Sequence, residues 1–178
     1  LVIQASAWKF IINTDYGALN TLLKTFGLIQ SNVNWTPTPE AYFAWEIACG
    51  IFVTIPFVCF TALSGLQSID GTLYEAAIVD GSNYWQKLFH ITLPLVKPSL
   101  TVATVLNIIY VFNSFPIVWT MTKGDPASRT DTLVTYLYKL AFYNGKQGEA
   151  AAVSVIGFLI LLVCASCYMV STLKKGDK

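Results

Sequence analysis

Asn107, Tyr110 and Ser114 recur at three- and four-residue spacing inside the apolar run LTVATVLNIIYVFNSFPIVWT, with Asn113 beside the last of them. On a helix these intervals place Asn107, Tyr110 and Ser114 along one face. Polar groups on an otherwise apolar helix are costly unless they are used, so an amide, a phenol and a hydroxyl in one stripe suit hydrogen bonding to a polar solute moving along it. Aromatic stacking combined with amide hydrogen bonds is a mixture that a carbohydrate can use. A second candidate lining lies upstream, where Thr54 and Phe57 flank Pro56. A proline in a helix frees a backbone carbonyl and favours a kink, and unwound backbone at mid-membrane depth is a known way to build a site. The same side chains also serve hydrogen bonding and packing between helices, and spacing alone does not separate the two roles.

Other chemistries find less support. Cys164 and Cys167 have a CxxC spacing but lie in an apolar run without His or carboxylate neighbours, which disfavours a redox or metal role. Cys49 and Cys59 read as buried thiols. His90 is the single histidine and reads as a surface or groove contact, not a catalyst. No set of nucleophile, base and orienting group can be assembled, and no GxxxxGK[ST] loop is present to hold a nucleotide. The chain is therefore expected to have no catalytic residues, to bind no metal and to carry no cofactor of its own.

The elements that position these residues follow from composition. Hydrophobic residues make up 54% of the chain and charged residues 12%, against about 25% charge in an average soluble domain. The net charge of +1 comes from eleven basic and ten acidic residues, so no basic field exists to attract nucleic acid. A spanning helix needs about 20 mainly apolar residues. Three stretches meet that need, at about 42–66, 98–120 and 149–173. Residues 1–12 read as the end of a further apolar helix, with neither the charged start nor the cleavage site of a signal peptide. The 178 residues are then the C-terminal part of a longer transmembrane domain. Small residues such as Gly50, Ala62, Ser64 and Gly65, and Ala150 to Ala152, Ser154 and Gly157, allow close helix approach. The expected fold is all-α, a polytopic transmembrane helical bundle.

Segments 13–41 and 121–148 carry turn chemistry, the second with an amphipathic helix near 132–143. Both lie on one side of the membrane, because one span separates each from 67–97. Lysine and arginine counts on the two sides nearly tie, so charge does not orient the chain. Within 67–97, Asp70 and Thr72 are candidate N-caps and Gly81 can interrupt the helix with a positive φ. Ser82 or Asn83 can cap a second helix from Tyr84 to about Ile91, which Thr92 to Pro98 would close. This predicts a helix-turn-helix outside the bilayer. Glu75 and Asp80 flank small Ala76 and Ala77, while Tyr84, Trp85 and Phe89 offer large apolar side chains. Such an object fits a protein groove or rests on lipid headgroups.

The spacing Glu75-Ala76-Ala77, Gly81, Ile91, Leu93-Pro94 resembles the EAA loop, "EAA---G---------I-LP", of permease subunits in binding-protein-dependent ATP-binding-cassette importers. The flanks FIINTDYGALN, LSGLQSIDGTLYEAA and FNSFPIVWTMTKGDPASRTDTLVTYLYKLAF look like the carbohydrate-uptake branch containing maltose and glycerol-3-phosphate type permeases. One departure is Asp125, where that branch usually has a second Gly. The resemblance implies a type I importer permease core in a bacterial or archaeal cell (inner) membrane. Residues 67–97 then form a cytoplasmic loop in which Glu75, Ala76, Ala77, Asp80, Gly81, Ile91, Leu93 and Pro94 couple to an ATPase. The implied partners are two ATPase subunits holding ATP and Mg, a second permease subunit and an extracytoplasmic solute-binding protein. Residues 13–41 and 121–148 would face outward, and Lys174 and Lys175 inward. The implied activity is ATP-driven import of a sugar or sugar derivative. The competing class, a secondary transporter or channel, needs ionisable groups within the membrane for ion coupling, and Glu46 is the only carboxylate inside the first full span.

Overall fold

The computed structural model describes residues 1–173, which form helices and turns. In chain order the helices are α1 (Val2–Ile11), α2 (Ala18–Thr25), α3 (Pro39–Gln67), α4 (Gly71–Val79), α5 (Tyr84–Lys87), α6 (Leu93–Phe112), α7 (Phe115–Met121), α8 (Leu133–Tyr138) and α9 (Gln147–Leu173). Two wider π turns, Leu88–Thr92 and Lys139–Tyr143, follow α5 and α8 without a break. Lys174 and Lys175 lie outside the described residues.

Among the described residues, three helical stretches are long and apolar enough to cross a membrane: Pro39–Gln67, Tyr84–Phe112 and Gln147–Thr172. Only about a tenth or less of each is buried within the chain, so their apolar sides are left for lipid or other chains. The first and third match the expected spans closely. The middle one differs from the expected 98–120 at both ends. It begins at Tyr84 because the chain does not break at Pro94. There the Leu93 N–H bonds to the Leu88 carbonyl, five residues back, and this widened turn relieves the clash that a proline ring makes with the preceding turn. It ends at Phe112 because Pro116 cannot continue an α-helix across Asn113 and Ser114 and instead occupies the second position of α7. Helix α3, by contrast, runs unbroken through Pro56, so the unwound backbone expected there is absent.

The chain divides into two compact units. The first comprises residues 1–53 and 111–161. Its core gathers Ala5 and Ile12 of α1, Cys49 of α3, and Ile117 and Met121 of α7, with Trp8, Trp35 and Trp45 packed around them. Asn20 organises the polar turns beside this core. Its amide donates to the carbonyls of Thr14 and Val33 and accepts from the Val33 N–H and the Trp35 indole N–H, all at 2.9–3.2 Å. A fully buried amide is tolerated because every donor and acceptor is matched. Phe115, Trp119 and Tyr138 form an aromatic triangle with centroids 4.7–5.3 Å apart.

The second unit takes residues 54–110 and the end of α9 from Leu162. Here α3 and α6 approach closely at Gly65, where a Cβ would stand 3.0 Å from the Ser99 hydroxyl and 3.2 Å from Val96. This is the close contact that small residues permit between membrane helices. Cys59 is exposed on α3, not buried as expected; Cys49 is buried.

Candidate functional site

The 67–97 segment folds as a helix, a tight turn and a second helix. Asp70 caps α4 by accepting the Thr72 N–H at 3.0 Å, and Thr72's backbone and side-chain hydrogen bonds hold the Asp70 carboxyl below its ordinary range. At the other end the Ser82 N–H bonds to the Ala77 carbonyl at 2.9 Å and the Gly81 N–H to Ile78 at 3.0 Å. This double bond pattern, with Gly81 at φ +75°, is a Schellman stop in which glycine supplies the left-handed residue. Asn83 then opens α5 with a reciprocal capping box to Gln86, at 2.8 and 2.9 Å. A hydrogen bond of 2.9 Å between the Tyr74 and Thr92 hydroxyls ties α4 to the π turn.

Of the expected coupling residues, Glu75, Ala76, Asp80, Gly81, Leu93 and Pro94 are exposed, Ile91 is half-buried and Ala77 is buried. The apolar side chains between them are strongly exposed: Val79 at 87%, Tyr84 at 69%, Trp85 at 63% and Phe89 at 57%. Trp85 stacks on Phe89 with centroids 6.1 Å apart. An apolar, aromatic face bounded by two carboxylates is thereby displayed on a rigid frame. His90 is exposed, with Nδ1 3.1 Å from the Gln86 carbonyl. The expected closing break from Thr92 to Pro98 does not form, because α5, the π turn and α6 are one continuous helix.

The solute-path candidates divide. Asn107 and Tyr110 lie one turn apart on α6, and Thr54 and Phe57 on α3; all four belong to the second unit. Asn113 and Ser114 lie beyond the end of α6 in the first unit, Ser114 as the residue preceding α7. The expected common face of Asn107, Tyr110 and Ser114 is therefore broken, since one helix holds the first two only. Cys164 and Cys167 are free thiols exposed on α9.

A polar cluster missed by the sequence reading surrounds Glu46. The Thr122 hydroxyl donates to Glu46 Oε1 at 2.6 Å, accepts the Gly124 N–H at 3.1 Å and lies 2.9 Å from the Thr130 hydroxyl. Both Glu46 and Thr130 are buried. The carboxylate thus pins the loop after α7 onto α3. Nearby, Lys139 pairs with Asp131 at 2.9 Å. A lone intramembrane carboxylate was the only signal in the sequence, because its partner lies 76 residues away.

Residues 7–173 match the protein family described as "Binding-protein-dependent transport system inner membrane component". The chain belongs to this family. It is 49% identical over 169 residues to a probable ABC transporter permease protein of Brucella suis biovar 1, covering 95% of this chain and 58% of that protein. It is 36% identical over 170 residues to the trehalose/maltose transport system permease protein MalF of Thermococcus litoralis, covering 94% and 56%. It is also 34% identical over 163 residues to the sulfoquinovosyl glycerol transport system permease protein SmoG of Agrobacterium fabrum, covering 92% and 52%. The chain therefore spans little more than half the length of these relatives. Its fold matches a bacterial ABC transporter involved in the import of the acidic polysaccharide alginate, with a TM-score of 0.83 and 25% identity over 97% of this chain and 60% of that one. The fold is that of an ABC importer permease, a multi-pass membrane protein.

Proposed function

We propose that the chain forms part of the translocation path for ATP-driven import of a small sugar or sugar derivative. The observation that supports this most is the EAA frame itself, held by a Schellman turn and a capping box on an exposed aromatic face, in a member of the binding-protein-dependent family. Sugar-transport permeases among its relatives favour a carbohydrate cargo. In this reading 67–97 is cytoplasmic, in a bacterial or archaeal cell membrane. Two separate ATPase subunits bind ATP and Mg, a second permease subunit completes the pore, and an extracytoplasmic binding protein delivers solute, as a periplasmic protein accompanies the alginate transporter.

The mechanism follows from the continuous helix Tyr84–Phe112. When ATPase subunits close, they displace the docked face of Trp85 and Phe89. The helix carries that displacement to Asn107 and Tyr110 without an intervening loop, over about 35 Å at 1.5 Å per residue. Groove contacts that differ between the two ATPase states supply the differential free energy that moves the path. The decisive experiment is copurification of the full-length permease with its ATPase, followed by uptake in proteoliposomes. Uptake that requires ATP and binding protein supports the proposal; solute movement by the permease alone in ATP-free vesicles refutes it and favours a secondary transporter.

A further inference from the structure

The first unit contains a cleft of about 450 Å³ that the mechanism above does not use, within the roughly 300–1,000 Å³ typical of small-ligand sites. Its polar lining comes from three separate regions of the sequence: Lys9, Asn13 and Asp15 around the end of α1, Tyr42 on the first turns of α3, and Thr122 and Asp125 after α7. The buried side chains of Ile12 and Met121 add an apolar patch. Several of the polar groups have no intramolecular partner among the described residues: the Lys9 ammonium, the Tyr42 hydroxyl, and the Asp15 and Asp125 carboxylates. Asn13 Oδ1 already accepts the N–H groups of Asp15 and Tyr16, at 2.9 and 3.2 Å, which leaves its NH2 as an open donor. The rim is preformed, because Thr122 is anchored to buried Glu46.

We infer that this cleft is a binding subsite for a neutral sugar on the extracytoplasmic side of the permease. Open acceptors (two carboxylates), open donors (ammonium and amide) and a phenol match a ligand whose hydroxyls both donate and accept. The apolar patch suits its C–H surface. One cation against two carboxylates disfavours an anionic sugar, so the ligand class differs from the acidic polysaccharide carried by the structurally similar alginate importer. The cleft is lined from 9–15, 36–42 and 121–126, within or beside the segments 13–41 and 121–148 that the proposed orientation places on the extracytoplasmic side, where solute arrives. The inference rests on that functional reading.

The test uses the full-length permease assembled with its partners in nanodiscs, titrated with radiolabelled maltose and trehalose in the absence of binding protein, in parallel with ATP-driven uptake in proteoliposomes. Asp125→Ala, at an exposed position, and Tyr42→Phe, at a half-buried one, each remove one open group and leave the Glu46 anchor intact. Each should weaken neutral-sugar binding about tenfold at unchanged melting temperature, and glucuronic acid should bind less well than glucose. Wild-type uptake with sugar binding unchanged in both variants overturns the subsite alone. A raised half-saturation for binding protein with unchanged sugar binding also overturns it, by making the cleft a protein contact. ATP-driven uptake of an acidic sugar derivative but of no neutral sugar overturns the subsite and leaves the import reading, whereas solute movement in ATP-free vesicles overturns both.

Discussion

Replacing Gly81 tests whether the proposed coupling loop works as a fixed turn. Its φ of +75° lies where L-residues meet their own carbonyl, at about 1–2 kcal/mol for an ordinary side chain and up to about 3 kcal/mol for a strained one. Nothing lies within 4 Å of a Cβ built on Gly81, so within the chain the whole cost is backbone strain. A loss of about 1.4 kcal/mol reduces the turned population about tenfold relative to open alternatives. Asparagine is enriched in the left-handed region, so the expected order of function is Gly, Asn, Ala, Val, even though Asn is larger than Ala. The assay compares ATPase subunits retained on the full-length permease, binding-protein-stimulated ATP hydrolysis and uptake, with membrane insertion as the control. Gly81→Val should insert normally yet lose ATPase and uptake. Wild-type behaviour of Gly81→Val, or a ranking by side-chain volume that puts Asn below Ala, would refute the reasoning.

Asn107→Leu or Tyr110→Ala should impair uptake by roughly ten- to hundredfold, the effect of losing a buried hydrogen bond worth about 1 to 3 kcal/mol, with assembly intact; unchanged transport would assign both residues to packing. Thr122→Val removes the hydroxyl donor from Glu46 and should cost about 1–3 kcal/mol of stability, read as a lower melting temperature of the purified permease, whereas Thr122→Ser should restore it. Asp70's depressed carboxyl stabilises α4 at neutral pH and loses that contribution as pH falls through its folded value. Hydrogen-exchange protection at residues 71–79, corrected for the intrinsic pH dependence of amide exchange, should fall in acid in the wild type, and Asp70→Asn should flatten that dependence. Tyr74→Phe and Thr92→Val each break the same 2.9 Å link, so their effects on ATPase retention should be markedly less than additive in a double-mutant cycle.

The helix-turn-helix of 67–97 was largely legible because its signals are local. A capping Asp70, a turn glycine and an Asn83 cap each act within a few residues, and α4, the turn and the start of α5 lie where those residues put them. Two spans were legible from length and apolarity. The middle span was misread because the sequence reading closes the loop with Pro94 and Pro98 yet carries the span straight through Pro116. Pro94 follows a π turn and is absorbed, Pro98 sits inside α6, and Pro116 follows Asn113-Ser114 and starts a new helix. The helix α2, the Asn20 hub and the Glu46–Thr122 anchor were not legible, since each depends on partners brought together from distant segments.

This pattern of prolines bears on transmission. A hinge at Thr92–Pro98 would have let the docked loop swing without moving the span, and motion at Trp85 would have dissipated in the linker. The π turn removes that hinge, because it keeps the backbone hydrogen bonding through Leu93 and leaves Tyr84–Phe112 as one rod of about 43 Å. The Tyr74–Thr92 bond braces the rod at the turn where it would otherwise be weakest. The break falls instead at Asn113-Ser114, beyond Asn107 and Tyr110, so those two path candidates share a helix with the proposed docking face while Asn113 and Ser114 do not. In the proposed mechanism, Asn107 and Tyr110 near the far end of that rod are where a solute would feel the ATPase state.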